Sequence, residues 1–181
     1  KEYNMKVKYS DLKNKRIFIT GGGSGIGASI VEHFCEQGSE VYFVDIDLKE
    51  TKKLLNKIKK NKFRIPTFIE CNLLDINKLE KTIKNIIAKK GPIHALINNA
   101  ANDDRHTTDQ VDEKYWENRM AINLKHYFFA AKAVVKSMKK MKAGSIVNLS
   151  SVSWMLGEGD KVVYETAKSA VVGLTRSFAH E

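Results

Sequence analysis

Tyr164 and Lys168 are the residues whose types and spacing most directly suggest chemistry. They stand four positions apart in "YETAK" (164–168), and on a helix this spacing places both side chains on one face. An ammonium beside a phenol favours the ionised phenol that a general base needs. The spacing alone is weak evidence, because Tyr9 and Lys13 share it in this lysine-rich chain.

Ser151 gives the tyrosine and lysine a context that Tyr9 and Lys13 lack. It follows the apolar run "SIVNLS" (145–150), which predicts a buried strand. Ligands of open parallel sheets bind at the carboxyl ends of the strands. We therefore expect Ser151, Tyr164 and Lys168 to lie at one ligand-binding edge.

A glycine-rich turn, "TGGGSGIG" (20–27), falls at the same predicted edge. It leaves an apolar strand and opens a helical pattern, which is a stronger signal than the glycines alone, although the spacing is looser than the usual dinucleotide fingerprint. Glycines let the backbone approach a pyrophosphate, and the amides of the helix N-terminus attract it. The pattern predicts cofactor contacts from Gly21, Ser24, Gly25, Ile26 and Gly27. The alternative is a flexible loop without a ligand.

Asp45 ends the second predicted strand, "EVYFVD" (40–45). A carboxylate at this place accepts hydrogen bonds from the adenosine ribose hydroxyls and repels a 2′-phosphate, which predicts NAD rather than NADP as the cofactor. The next residue, Ile46, is not the arginine that a 2′-phosphate would need. The alternative role for Asp45 is a helix N-cap, which Asp47 could provide instead.

The loop "NDDRH" (102–106) follows the fourth predicted strand. Its acceptors and donors suit a polyhydroxylated substrate better than an apolar one. We expect Asn102 and Asp103 to contact the substrate, and Trp154 to offer a ring to a sugar face. The alternative is a structural ion cluster in which Arg105 pairs with an aspartate. No metal site is predicted, because His106 has no partner at ligand spacing.

Strand and helix patterns alternate along the chain, which predicts an α/β fold with a doubly wound parallel sheet. We expect a single domain over residues 1–181. Strand five would lie at a sheet edge, so we expect the natural protein to continue beyond Glu181 with at least one further strand. The predicted strands are 16–20, 40–45, 65–71, 93–98 and 145–150, and the predicted helices are 25–37, 48–61, 76–89, 113–140 and 161 to the end.

Composition narrows the function classes. Hydrophobic residues make up 43% and charged residues 29%, which is typical of a globular protein. The net charge of +10 comes from lysine on amphipathic helices, which favours a solvated surface over nucleic-acid binding. Two isolated cysteines, the lack of a membrane span and the lack of a secretory signal predict a cytoplasmic protein with a small-molecule substrate.

The helix predicted over 113–140 is apolar on more than one face, whereas covering a sheet needs only one apolar stripe. With the apolar positions of the last helix, this surplus predicts a homodimer or homotetramer through residues 113–140 and 161–181. The alternative is that another part of the same chain covers this surface.

Together these residues resemble the short-chain dehydrogenase/reductase family, classical type. The resemblance is carried by TGGGSGIG, Asp45, NNAA (98–101), Asn123, Ser151 and YETAK. It implies the strand order 3-2-1-4-5, with the family's later strands missing from this chain. Asn72 replaces a common aspartate and Ala101 a common glycine. The implied cofactor contacts are Gly21, Ser24, Gly25, Ile26, Gly27, Asp45, Ile46, Asn72, Leu73, Asn99, Ala100, Ala101, Tyr164 and Lys168.

The resemblance also implies roles in catalysis. Tyr164 would be the acid/base, Lys168 would promote its ionisation and hold the nicotinamide ribose, Ser151 would steady the substrate oxygen, and Asn123 would support a water-mediated proton relay. The substrate would contact Asn102, Asp103, Ser151, Trp154 and Tyr164.

Within the family, NDDRH, the segment 115–131 and "VYETAK" resemble bacterial NAD-dependent aldose 1-dehydrogenases, the D-xylose type in particular. This resemblance implies oxidation of a cyclic sugar at C1 to its lactone. Two alternatives remain open: a short-chain dehydrogenase or reductase of another substrate, such as a 3-oxoacyl thioester or a polyol, and a catalytically silent NAD-binding subunit.

Overall fold

The computed structural model describes residues 7–181, and within them five strands form one parallel sheet in the order β3-β2-β1-β4-β5. Both the fold class and the strand order implied by the sequence are confirmed. The order reverses between β1 and β4, so the first and fourth connections lead away to opposite halves of the sheet. The strands are β1 (Arg16–Thr20), β2 (Glu40–Asp45), β3 (Thr67–Glu70), β4 (Ala95–Asn98) and β5 (Ser145–Asn148).

Helices connect the strands at nearly the predicted places. Aspartate side chains accept a backbone N–H in the first turn of three of them, which fixes where those helices begin: Asp47, Asp75 and Asp112. The helices are α1 (Gly25–Glu36), α2 (Leu48–Lys60), α3 (Ile76–Lys90), α4 (Glu113–Met120), α5 (His126–Met141), α6 (Ser153–Leu156) and α7 (Val162–Phe178).

The strands bury alternate residues on the two sheet faces. Phe18 and Leu96 pack with residues of α3 and α5 on one face. Ile17, Ile19 and Ile97 pack with residues of α1 and α2 on the other. Because helices cover both faces of the sheet, the sequence of β1 is a continuous apolar run and does not alternate between apolar and polar residues. Because β1 and β4 lie inside the sheet and are packed on both faces, the turns at their carboxyl ends are held in place.

The structure corrects several predicted boundaries. Strands β3 and β4 begin two residues later than expected, and β5 ends two residues earlier, at Asn148. Ile65 is more than half exposed, and Pro66 has no N–H to give to a sheet ladder. The helix predicted over 113–140 is interrupted by a π-helical segment (Ala121–Lys125) between α4 and α5. The short helix α6 was not predicted.

Strand β5 lies at the sheet edge, as predicted, with Val147 about half exposed. The further strand beyond Glu181 stays a prediction. So does the single domain over 1–181, of which residues 1–6 lie outside the described part. Among residues 7–181, no helix has the length and apolar character needed to cross a membrane.

Candidate active site

A cleft of about 480 Å³ opens at the carboxyl ends of the strands. Every residue predicted to contact the cofactor lines it, apart from Tyr164 and Lys168, and so do two of the predicted substrate residues. The lining consists of Gly21, Ser24, Gly25, Ile26, Gly27, Asp45, Ile46, Cys71, Asn72, Leu73, Asn99, Ala100, Ala101, Asn102, Asp103 and Ile122.

The glycine turn forms one end of this cleft, and its conformation depends on missing side chains. A Cβ on Gly27 would overlap the carbonyl oxygen of Gly21, and a Cβ on Gly21 would lie 2.8 Å from Ala100. The Asn99 amide donates to the carbonyls of Thr20 and Gly21 at 3.1 and 2.9 Å, which ties the turn to the end of β4. The turn can therefore pack this closely against itself and the end of β4 only with glycine at positions 21 and 27.

The N-terminus of α1 also lines the cleft, and no side chain caps its first amides. Ser24 occupies the N-cap position, but its side chain makes no capping hydrogen bond. Free amides and the positive end of the helix dipole attract an anion. Open space above Gly25 and a close backbone approach at Gly27 therefore fit the pyrophosphate of a dinucleotide.

Asp45 lies at the end of β2 and is held by three backbone amides. Its carboxylate accepts from Gly23 N at 2.7 Å, Ile46 N at 2.7 Å and Asp47 N at 2.9 Å. Asp47, not Asp45, caps helix α2, so the alternative role weighed for Asp45 is wrong. Oδ1 accepts two of these bonds and Oδ2 only one, so Oδ2 keeps a lone pair for a hydroxyl of a ligand.

Lys168 is almost fully buried in α7, with 1% of its surface exposed. Its Nζ donates to the hydroxyl of Tyr127 at 2.8 Å and to the carbonyl of Leu149 at 2.7 Å. It also lies 5.7 Å from the ring centroid of Tyr164, so the structure brings this lysine and tyrosine together. Burial lowers the pKa of Lys168 to about 8, while the charge of Asp103 acts to raise it.

Ser151 lies between β5 and α6, partly buried. Its hydroxyl is 2.8 Å from that of the buried Ser153 and accepts from Ser153 N at 3.2 Å. This contact fixes the Ser151 side chain at the start of α6, the helix that carries the half-buried Trp154. Ser153 could not be singled out from sequence, because a serine beside a strand end is common.

Asn123 is completely buried in the π-helical segment. Its Oδ1 accepts from Asn102 N at 2.8 Å, and its Nδ2 donates to Asn102 O at 2.9 Å. The Asn123 side chain therefore links the loop after β4 to the π-helical segment. Single π-helical turns inside α-helices are often found at functional sites.

The NDDRH loop is the ion cluster that the alternative expected, but its cation is different. Asp104 pairs with Arg119 of α4 at 2.7 Å instead of with Arg105. The Arg119 guanidinium lies over the Tyr115 ring, whose hydroxyl is 2.9 Å from His106 Nδ1. Asp104 and His106 are thus engaged within the protein, whereas Asp103 stays exposed at the cleft.

His106 anchors the end of this loop. Its side chain is buried, and its backbone N–H donates to Asp160 O at 2.7 Å. The ring nitrogen Nε2 accepts from Val163 N at 3.4 Å, at the start of α7. The loop after β4 and the helix carrying Tyr164 and Lys168 are therefore joined to each other.

Two neighbouring residues of α5, His126 and Tyr127, were not recognised as site residues. Both are fully buried, and their rings meet edge to face at 4.5 Å. Burial and, to a smaller extent, the nearby charge of Lys168 lower the pKa of His126 to about 3. The backbone carbonyls of Ala121 and Ile122 act in the opposite direction, but their effect is weaker. Burial, then Tyr164, raises the pKa of Tyr127. The one sequence signal was a histidine inside an apolar stretch.

The sequence of this chain is similar to those of known dehydrogenases. The sequence model of the short chain dehydrogenases matches residues 15–181. The chain is 42% identical over 173 residues to D-xylose 1-dehydrogenase of Caulobacter vibrioides, covering 96% of this chain and 68% of that protein. It is 38% identical over 172 residues to a probable galactose dehydrogenase of Rhizobium meliloti, covering 95% and 67%.

Among solved structures, ligand-free aldohexose dehydrogenase of Thermoplasma acidophilum superposes with a TM-score of 0.82 at 31% identity. The match covers 94% of this chain and 62% of that one. The chain therefore spans less than two thirds of the length of this structural relative.

Proposed function

The chain belongs to the short-chain dehydrogenase family, whose members bind a nicotinamide cofactor, and we propose that it oxidises a cyclic aldose at C1 to the lactone with NAD. The observation that carries this proposal is the buried ammonium of Lys168 beside the Tyr164 ring. A phenol and an ammonium at this edge of the sheet suit removal of a hydroxyl proton. The named activities of the relatives support a sugar as substrate.

The cofactor would lie along the cleft. The backbone of Gly21 to Gly27 would hold the pyrophosphate, and Asp45 would accept from the adenosine ribose. Asn72 would face the adenine, while Leu73, Asn99, Ala100 and Ala101 would form the remaining walls. When bound, the nicotinamide supplies an acceptor for the hydride that leaves C1 of the sugar.

The chain's own residues would handle the proton. Tyr164 in its ionised form would take the proton of the C1 hydroxyl, and Lys168 would stabilise that ionised form before the transfer and hold the nicotinamide ribose. Ser151 donates to the substrate oxygen. Asn123 supports the proposed water-mediated relay indirectly, since both of its polar atoms bind the backbone of Asn102.

The preference for NAD is supported by Asp45. A carboxylate held by three amides cannot turn away from a ligand without losing those hydrogen bonds. A 2′-phosphate would meet its negative charge at short range. We expect Asp45→Ser to weaken NAD binding and to narrow the gap between NAD and NADP, measured as dissociation constants by fluorescence.

A sugar substrate is supported by the groups that the fold leaves free. Asp103 is exposed at the cleft, close enough to Lys168 to influence its charge. Asn102 lies beside it, and Trp154 is half-buried in α6. We propose that Asn102 and Asp103 bind sugar hydroxyls and that the Trp154 ring packs on the sugar face.

The proposal is tested by mixing the protein with NAD and single aldopentoses or aldohexoses and recording the absorbance of reduced cofactor. We expect turnover with at least one aldose and formation of its lactone. Oxidation of simple secondary alcohols with NAD, or reduction of 3-oxoacyl thioesters with NADH, without any activity on sugars, would remove the aldose substrate and leave the reaction type. Cofactor binding without any turnover would favour a silent subunit.

We also propose that the protein self-associates as a homodimer or homotetramer through residues 113–140 and 161–181. Support comes from apolar side chains left exposed on these helices: Trp116, Phe128 and Val172. Analytical ultracentrifugation measures the mass directly, and a Phe128→Lys variant should dissociate. A monomer at micromolar concentration would contradict this proposal.

A further inference from the structure

Tyr127 lies next to the candidate catalytic residues but outside the cleft. It is fully buried in the first turn of α5, directly after the π-helical segment. Its hydroxyl lies 3.1 Å from the carbonyl of Leu149 and 3.4 Å from that of Ala100. The same oxygen accepts from Lys168 Nζ at 2.8 Å. A side chain so buried acts on a ligand only through its neighbours.

The ammonium of Lys168 has three N–H groups, and two of them have protein acceptors. Tyr127 supplies one acceptor, and the Leu149 carbonyl at the end of β5 supplies the other at 2.7 Å. The third N–H is left for another acceptor: the Tyr164 ring centroid lies 5.7 Å from Nζ, and the charge of Asp103 acts on the ammonium. With only the carbonyl, the ammonium could swing about that single contact.

Lys168 depends on Tyr127 for a hydrogen-bond acceptor, whereas Tyr127 does not depend on Lys168. The Tyr127 hydroxyl already has backbone carbonyls to which it can donate, so it does not need the lysine to be satisfied. A buried ammonium, in contrast, is costly unless acceptors surround it. The Tyr127–Lys168 contact therefore serves the lysine.

We propose that Tyr127 is a positioning residue for Lys168: its buried hydroxyl accepts one N–H of the ammonium and thereby aims the free N–H at the cleft. The consequence for turnover rests on the proposed function of Lys168, but the contact itself does not. Because Tyr127 is fully buried and does not line the cleft, it is not a catalytic residue.

The surroundings of Lys168 explain why a phenol suits this position. His126 and Tyr127 face it from α5, Tyr164 from its own helix, and Asp103 from the loop after β4. Because burial raises the pKa of Tyr127, its hydroxyl stays neutral at physiological pH. It thus provides an acceptor without a second negative charge beside Asp103, which would hold the proton on Lys168 more firmly.

The first experiment measures the titration of Lys168 in the protein without cofactor, by NMR of lysines labelled with carbon-13 at Cε. The Lys168 signal is assigned by its loss in Lys168→Met. In Tyr127→Phe we expect its titration midpoint to fall by about one to two pH units, since the charged form loses a hydrogen bond. A midpoint within about 0.3 pH units of the parent would overturn the proposal.

Tyr42→Phe is the matched control. Tyr42 is also a buried tyrosine, and its hydroxyl is bonded to Glu40 on β2, away from Lys168. We expect this variant to leave the Lys168 midpoint unchanged. An equal shift in both variants would show a general effect of lost phenol groups and would also overturn the proposal.

A second measurement needs no variant and covers the case in which Tyr127→Phe does not fold. In the parent protein, nuclear Overhauser effects should connect the Tyr127 ring with the Lys168 ε-methylene, and their absence would refute the contact. Both measurements use the protein without cofactor or sugar. Failure to oxidise any sugar would therefore refute the proposed function and leave this inference standing, and the reverse also holds.

Discussion

The two ends of the candidate site are formed by different kinds of groups. The first, here called the glycine side, consists of the turn 20–27 and Asp45. Backbone amides and missing side chains shape it. The second, here called the lysine side, consists of His126, Tyr127, Tyr164 and Lys168. The buried titratable side chains of His126, Tyr127 and Lys168 shape it beside the partly buried Tyr164.

This difference predicts different vulnerabilities. On the glycine side, the cost of a change is steric at Gly21 and Gly27, because a Cβ on either residue would clash with neighbouring backbone atoms. On the lysine side, the cost is electrostatic, because burial shifts the pKa values of His126, Tyr127 and Lys168. The effect of a substitution on the glycine side should therefore depend on the size of the new side chain. The effect of a substitution on the lysine side should depend on pH.

The largest effect is expected on the lysine side, from Tyr164→Phe. Removing the phenol oxygen deletes the proposed general base, and we expect kcat to fall by about 10²–10⁴-fold. Steady-state turnover of the aldose substrate measures it, with folding checked by thermal unfolding. Tyr9→Phe is the control, since Tyr9 shares the spacing to a lysine but is exposed. A Tyr164→Phe variant as fast as the parent would remove the mechanism.

On the glycine side, Gly27→Ala should be the most damaging small change. Its Cβ would overlap the Gly21 carbonyl, so the turn must shift, and we expect a loss of about 3 kcal/mol in the free energy of unfolding. Urea denaturation and NADH binding measure the two consequences. Gly173→Ala has open space in α7 and should instead stabilise by about 0.5–1 kcal/mol. Equal responses of both variants would contradict a steric origin.

The pH dependence of the lysine side is tested with His126→Leu. The pKa of His126 is lowered to about 3 in the folded protein, whereas the unfolded chain takes up its proton near 6.5. Stability is therefore lost as pH falls from 6.5 towards 3. Between pH 7 and pH 5, we expect the parent to lose about 2 kcal/mol more than His126→Leu.

Urea denaturation at both pH values measures this difference. The exposed His180 provides the control, because His180→Leu should follow the parent. If His126→Leu loses as much stability as the parent on acidification, then His126 titrates normally and the comparison between the two sides weakens.

The smallest effect is expected from Asp104→Asn, which breaks a charge pair that is not deeply buried. The Asp104 side chain is 63% exposed, so its ion pair with Arg119 should contribute less than about 1 kcal/mol and should fade in high salt. Urea denaturation at low and high salt measures it. A loss of several kcal/mol, independent of salt, would show that exposed charges on this loop matter as much as buried ones.

The glycine side could be predicted from sequence because its signals are local. A strand, a glycine turn and a helix follow one another directly, and β1 and β2 have the predicted bounds. Asp45 lies two residues before Asp47, the residue that caps α2, so the alternative role of Asp45 as a helix cap could also be named from sequence. The pairing of Asp104 with Arg119 could not be predicted, because α4 reaches the loop only through tertiary packing.

By itself, the sequence determined the parallel α/β fold, the strand order through its family resemblance, and which residues gather at the strand ends. Periodicity and short-range spacing carry that information, since they act within one element or between neighbours in the chain. Only the tertiary structure decided which lysine is buried, which tyrosine holds it and where the long helix becomes π-helical. Those properties depend on residues far apart in sequence that exclude water together, and burial of this kind is what shifts a pKa.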